Sequence, residues 1–273
     1  MSLKTSDTSF WDQRRNKIRS RKGGYRIGED VYLHGNSLLG DLIYNASYMQ
    51  VVVLNATGKY PSKAFTQWLE SLFIALSWPD PRIWCNHMGA LAGTTRSSVI
   101  AATTMGVLAA DSRFYGIGTV IVQGVSFIQD AMERHQKGDA VKDIVYDNCK
   151  LGKPYIMGYA RPLASGDERV EAMIKIADSL GFEQGEHMKL AFQIHDILQD
   201  EFNESINING YLSAFFSDQG YTPIEVCNIL SCLVASGVTG CYVEESDKPG
   251  ESFLPMRCDD IEYTGPAPRS LGK

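Results

Sequence analysis

The sequence predicts a mainly α protein. Three stretches place apolar residues at spacings of three and four, a further helix start is marked by its caps, and strand signals cover only a few residues. The chain has 273 residues, 44% of them hydrophobic, and a body of this size hides roughly 70–75% of its unfolded surface. It needs neither disulfides nor a metal to hold a core, and one large domain or two intimate ones is the expectation.

In chain order, the first feature is Arg14, Arg15, Lys17, Arg19, Arg21, Lys22 and Arg26, seven cations with no acidic residue among them. They form either a solvated segment or an arm for phosphates or an acidic partner. Val31–Leu33 reads as a short strand. Phe65, Trp68, Leu69, Leu72, Phe73 and Leu76 lie on one helical stripe, with Pro61 and Ser62 where the helix would start. From Ala90 to Ala110 the composition is Ala, Gly, Thr and Ser with aliphatics, which suits a buried helix in which Gly93 and Gly106 allow close backbone approach.

Gly116-Ile117-Gly118 reads as a turn into a helix. A second stripe uses Val170, Met173, Ile174, Ala177 and Leu180, with Gly181 as its stop. Leu190, Ile194 and Ile197 make a third. Ile206–Ile208 is a possible second strand. Thr222-Pro223-Ile224-Glu225 combines a capping hydroxyl, proline at the first helical position and a glutamate three residues on. The most polar interruptions are 137–148 and 244–252.

Composition excludes several functions. A net charge of −6 argues against general nucleic-acid binding, which needs a basic face. No run of eighteen apolar residues occurs and Met1–Asp12 is too polar for a signal sequence, so the expectation is a soluble, cytoplasmic protein without membrane partners. The six cysteines contain no C-x-x-C pair and read as reduced thiols. Five histidines without ligand spacing predict no metal site. Neither nucleotide fingerprint nor a G-x-S-x-G elbow is present.

Polar residues at segment boundaries remain. His87 precedes the small-residue segment. Arg161 and Arg169 bracket the 158–167 loop, where guanidinium groups could clamp a carboxylate. Asn207 and Asn209 lie in Ser205-Ile206-Asn207-Ile208-Asn209-Gly210, a sequence equally suited to a turn.

Taken in order, these segments resemble the citrate synthase superfamily, and within it the short citryl-CoA lyase module. The resemblance runs from about Val31 to Gly265. It rests on Val31-Tyr32-Leu33-His34-Gly35 with Asp41-Leu42, on Leu54 to Pro61, on Asn86-His87 with Ala90 and Gly93, on Ile156 to Arg161 with Arg169 eight residues later, on Asn207-Ile208-Asn209-Gly210, and on Arg257 with Tyr263-Thr264-Gly265.

The resemblance implies chemistry in which an acyl-CoA thioester becomes an enolate and adds to a 2-oxo acid, or the reverse cleavage. His87, Phe114, Tyr159, Arg169, Asn207 and Arg257 would contact substrate, and His87, Arg161, Asn209 and Tyr115 would stand at catalytic positions. Three of these depart from the family pattern. Asn209 replaces the proton-abstracting aspartate, Arg161 the loop histidine, and Phe114 (or Tyr115 with a one-residue shift) a further histidine, although the lyase module also has Phe there.

Asparagine cannot serve as a base and arginine stays protonated, so ordinary synthesis from acetyl-CoA and oxaloacetate is not expected. Two readings follow. One is an altered citrate synthase/citryl-CoA lyase-like enzyme that makes or breaks a C–C bond, by decarboxylation or by retro-aldol cleavage. The other is a catalytically inactive ligand-binding or regulatory homologue. The resemblance further implies a homodimer with helices around 62–78 and 90–110 at its interface, no bound cofactor, a CoA thioester and a di- or tricarboxylate as ligands, and a large domain (30–150 and 246–273) with a small one (151–245) behind the basic segment 1–29.

Overall fold

The computed structural model describes residues 7–113, 116–160, 166–250, 252–253, 258–260 and 262–271. The architecture is helical. A short helix α1 (Ser9–Asp12) leads into a small antiparallel sheet of β1 (Gly23–Arg26), β2 (Asp30–Leu33) and β3 (Asn36–Ser37), ordered β1-β2-β3. Tyr25 pairs with Val31, and Leu33 with Asn36. A π-helical turn (Leu38–Leu42) and α2 (Ile43–Asn45) follow.

Next come α3 (Tyr48–Thr57), α4 (Lys63–Leu76), α5 (Trp84–Thr94), α6 (Val99–Ala110), α7 (Thr119–Gln136) and α8 (Val141–Asp147). After the hairpin β4 (Cys149–Lys150) and β5 (Lys153–Pro154) come α9 (Glu168–Ser179), α10 (Glu186–Phe202), α11 (Ile208–Asp218), α12 (Pro223–Leu230) and α13 (Ala235–Asp247).

The start signals hold at atomic level. The Ser62 hydroxyl accepts the Phe65 N–H at 3.1 Å, and Thr222 and Glu225 form a reciprocal capping box. Phe65, Trp68, Leu69 and Leu72 of α4 are buried. They meet α11, where Trp68 stacks on Phe215 with ring centroids 3.7 Å apart. Tyr211 bonds the Met173 carbonyl at 3.0 Å and ties α9 to the same helix. Every residue of Ile208–Ser217 except Asn209 is buried, so α11 is the axis of the body.

Three expectations are corrected. The segment from Ala90 to Ala110 is two helices, because Arg96 takes a left-handed backbone (φ 61°) and Ser98 caps a new helix. Only one face of α6 is buried: Gly106 meets Val238 closely, whereas Ile100 and Leu108 are 77% and 69% exposed. Ile206–Ile208 is not a strand, since Asn207 caps α11, which starts at Ile208. Separately, α13 runs through residue 245 and packs against α5 and α6.

Pro223–Asp247 is apolar and long enough on composition to cross a bilayer. In this fold α12 packs on α7 and α3, and α13 on α5 and α6. The five cysteines described, Cys85, Cys149, Cys227, Cys232 and Cys241, are free thiols.

Candidate active site

Four of the candidate residues, Tyr159, Arg169, Asn207 and Asn209, lie around the N-terminus of α11 and the segments it meets. Gly158, with φ 101°, lies so close to Gly210 that a Cβ on Gly158 would stand 2.6 Å from the Gly210 Cα, and one on Gly210 would stand 2.4 Å from the Gly158 oxygen. Glycine at both positions is therefore a packing requirement. The Gly158 carbonyl then accepts the Asn207 N–H at 2.8 Å.

Asn207 serves this junction with its whole side chain. Its Oδ1 accepts the N–H groups of Asn209 and Gly210, and its Nδ2 donates to the Ala160 carbonyl at 2.6 Å. It is a cap and a loop tie. Tyr159 is buried against α10 with its hydroxyl donating to the Ala191 carbonyl at 3.1 Å. Burial pushes its phenol far above the usual range.

Arg169 stands on the first turn of α9, held by a residue the sequence reading did not single out. Asp167, whose side chain is fully buried, caps α9 and receives Arg169 Nε and Nη2 at 2.7 Å each. Its Oδ2, which takes Nη2, also accepts the Ile208 N–H at 2.9 Å. Burial alone would raise this carboxyl, but the Arg169 guanidinium and the Ile208 N–H outweigh it and hold Asp167 below the ordinary carboxylate range. An acidic residue just before an amphipathic helix was the available signal. Only one edge of the guanidinium is committed, and Nη1 has no partner among the described residues.

Asn209 points the other way, onto α7. Its Nδ2 donates to the Val120 carbonyl at 3.2 Å, and its Oδ1 faces the Ser213 hydroxyl at 3.5 Å. Gly124 makes this possible, because a Cβ there would fall 2.8 Å from Nδ2. An amide therefore fits where a carboxylate would set oxygen against oxygen.

His87 belongs to a second group. Its Nδ1 lies 3.0 Å from the Pro81 carbonyl, which can only accept, so Nδ1 donates there and Nε2 is the ring nitrogen left for a ligand. Phe253 packs edge-on at 5.0 Å. Asn86 next to it is buried and donates to the carbonyls of Trp78 and Asp80 at 2.9 and 3.1 Å, fixing the turn into α5. One turn before His87, Trp84 donates to the Ala109 carbonyl at 2.7 Å and lies against Gly116. Trp84 thus links the start of α5 to Gly116, two residues before the α7 cap Gly118. Phe114, Tyr115, Arg161 and Arg257 lie outside the described residues.

Comparison with solved structures defines the class: the chain has the citrate synthase-superfamily fold. It is similar over 93% of its length, and 97% of the other's, to citryl-CoA lyase from Hydrogenobacter thermophilus, with a TM-score of 0.78 and 23% identity. It also resembles ATP citrate lyase from Methanothrix soehngenii in complex with citrate and coenzyme A (TM-score 0.76, 18% identity), of which it spans 45% while 98% of this chain is covered. Citrate synthase from Thermoplasma acidophilum matches at a TM-score of 0.63 and 19% identity, over 84% of this chain and 59% of that one. No protein-family model and no curated protein matches the sequence.

Proposed function

We propose that the chain is an altered citrate synthase/citryl-CoA lyase-like enzyme that forms or cleaves a C–C bond between a thioester-derived enolate and a 2-oxo acid. The observation that carries this reading is Arg169, oriented by buried Asp167 with Nη1 unpartnered among the described residues, in a fold where Asn209, which cannot remove a proton, stands on the adjoining helix α11. Carboxylate recognition is thereby kept at a site whose base is gone. His87, with Nε2 free of partners among the described residues, and Arg161 are the further groups for the ligand.

A malonyl-type thioester would fit this loss. Its extra carboxylate leaves as CO₂, the electron pair of the broken bond becomes the enolate, and the enolate attacks the 2-oxo carbonyl without any proton abstraction. Positive charge at the developing enolate oxygen lowers that barrier. The enzyme works as a homodimer in the cytoplasm on a CoA thioester with a di- or tricarboxylate. The exposed Ile100 and Leu108 on α6, a helix without a single charged side chain, support the dimer.

A thermal-shift screen with oxaloacetate, citrate, malonyl-CoA, acetyl-CoA and CoA tests this. A ligand at a hundred times its dissociation constant adds about 2.7 kcal/mol, so a CoA ester together with a di- or tricarboxylate is expected to raise Tm. CO₂ release from malonyl-CoA should follow. Stabilisation without turnover would support a ligand-binding homologue, and stabilisation by neither class would sink the reading.

The double variant Arg161→His with Asn209→Asp sharpens the test. The new carboxylate would face the Val120 carbonyl in place of Nδ2, which raises its pKa and keeps it protonated. Little synthase activity from acetyl-CoA is therefore expected. Strong activity in that variant, with no decarboxylation by the natural protein, would defeat the decarboxylative route.

A further inference from the structure

Residues 14–26 hold seven of the chain's 26 basic and none of its 32 acidic side chains, which leaves 19 against 32, a net of −13, for the rest. Every residue from Asp7 to Glu29 is exposed. Most of their partners are local: Arg14 donates to the Phe10 carbonyl and lies over the Phe10 ring. Arg15 pairs with Asp12 and Arg26 with Glu29, both at the surface, and Lys22 donates to the Asn55 carbonyl. No ion pair to the body is found for Lys17, Arg19 or Arg21 among the described residues.

The same segment exposes Phe10, Trp11 (65%), Ile18, Tyr25 and Ile27 (89%). A merely solvated tail does not call for five large apolar side chains, whereas Trp, Tyr and Arg are the residue types that dominate interface energetics. Beyond β1 the chain runs free. The thirteen residues from Phe10 to Lys22 can span up to roughly 45 Å when extended, enough to cross onto a neighbouring molecule.

We propose that this basic, aromatic N-terminal arm docks on the acidic body of a second copy of the chain. Charge decides the occupant. A body with a net of −13 repels nucleic acid and anionic lipid brought near it, and attracts an arm of seven cations from another copy. Among the described residues the arm meets its own body only at β1 and Lys22, which leaves its cations and apolar side chains available to the acidic surface of another copy. The inference rests on the homodimer reading above.

Sedimentation equilibrium over a range of salt concentrations tests it, using the full chain, a truncation lacking residues 2–21 and the α6 variant Ile100→Asp/Leu108→Asp. No residue from 7 to 21 is buried, so the truncated body keeps its core. The expected result is a dimer whose dissociation constant rises about tenfold or more on truncation and loses most of its salt dependence. Carbodiimide coupling in an equilibrated mixture of isotope-labelled and unlabelled protein should join Lys17 or Lys22 to acidic residues of the other copy.

A truncated protein that dimerises with unchanged affinity and salt dependence overturns the proposal, most directly if truncation abolishes retention on heparin or on phosphatidylserine vesicles instead. A full chain that stays monomeric defeats the homodimer reading as well. If only the α6 variant dissociates, the homodimer stands and the arm does not.

Discussion

Trp68→Ala is expected to destabilise the protein by about 3–5 kcal/mol, the range for emptying a buried aromatic site. Trp68 is fully buried on α4, stacked on Phe215 and edge-on to Phe216 with centroids 5.4 Å apart, and it packs near Phe65 and Tyr211 as well. Its removal would leave a cavity against the one helix that is enclosed almost throughout. Since α11 carries Asn207 and Asn209 at its N-terminus, the loss should reach the site as increased mobility of the 158–160 junction. Urea unfolding followed by far-UV circular dichroism checks the magnitude. Trp68→Phe keeps the stacking face and should cost clearly less, and equal costs for both variants would place the stabilisation elsewhere.

That helix was also the hardest to read from sequence, for a physical reason. An amphipathic stripe is visible only when a helix has a wet face, as α4, α9 and α10 do. With hardly a polar side marking α11, its first residues read as strand and turn, although Asn207 is an ordinary capping residue. The break between α5 and α6 was hidden likewise, because Arg96 holds a left-handed backbone without the glycine that usually announces one. By contrast, the capping box at Thr222 and Glu225 is a local hydrogen-bond pattern and was legible outright.

The site divided along similar lines. His87 and Arg169 drew notice through their spacing and family resemblance, and each keeps a nitrogen without a partner among the described residues. Asn207 and Tyr159 sit in loops, where polar residues look available, yet the fold spends one on capping and buries the other under α10. Asp167 was missed because its importance lies in two partners, Arg169 and the Ile208 N–H. The second of these is 41 residues away in sequence, and no spacing rule reports such a contact.

Asp167→Ala is the substitution expected to couple stability to the site. It removes the α9 cap, the acceptor of the Ile208 N–H and the carboxylate that holds Arg169, leaving a partly buried guanidinium without its counter-charge. Breaking such a pair typically costs about 3–5 kcal/mol, with the upper end tempered here because Arg169 is still 24% exposed. The effect should depend on pH in one direction. Asp167 is held below its ordinary pKa in the folded protein, and an unfolded aspartate titrates near about 3.9. Its contribution is therefore complete above that value and lost as pH falls through the lower, folded pKa. Denaturation at pH 7 should separate the variant from the natural protein widely, and the gap should narrow below about pH 4. A gap that stays constant across this range would mean that the carboxylate is not what positions Arg169. In that case carboxylate affinity, measured by the citrate-induced rise in Tm, should survive the substitution; if Asp167 does orient the guanidinium, that rise should vanish together with the pH-dependent stability.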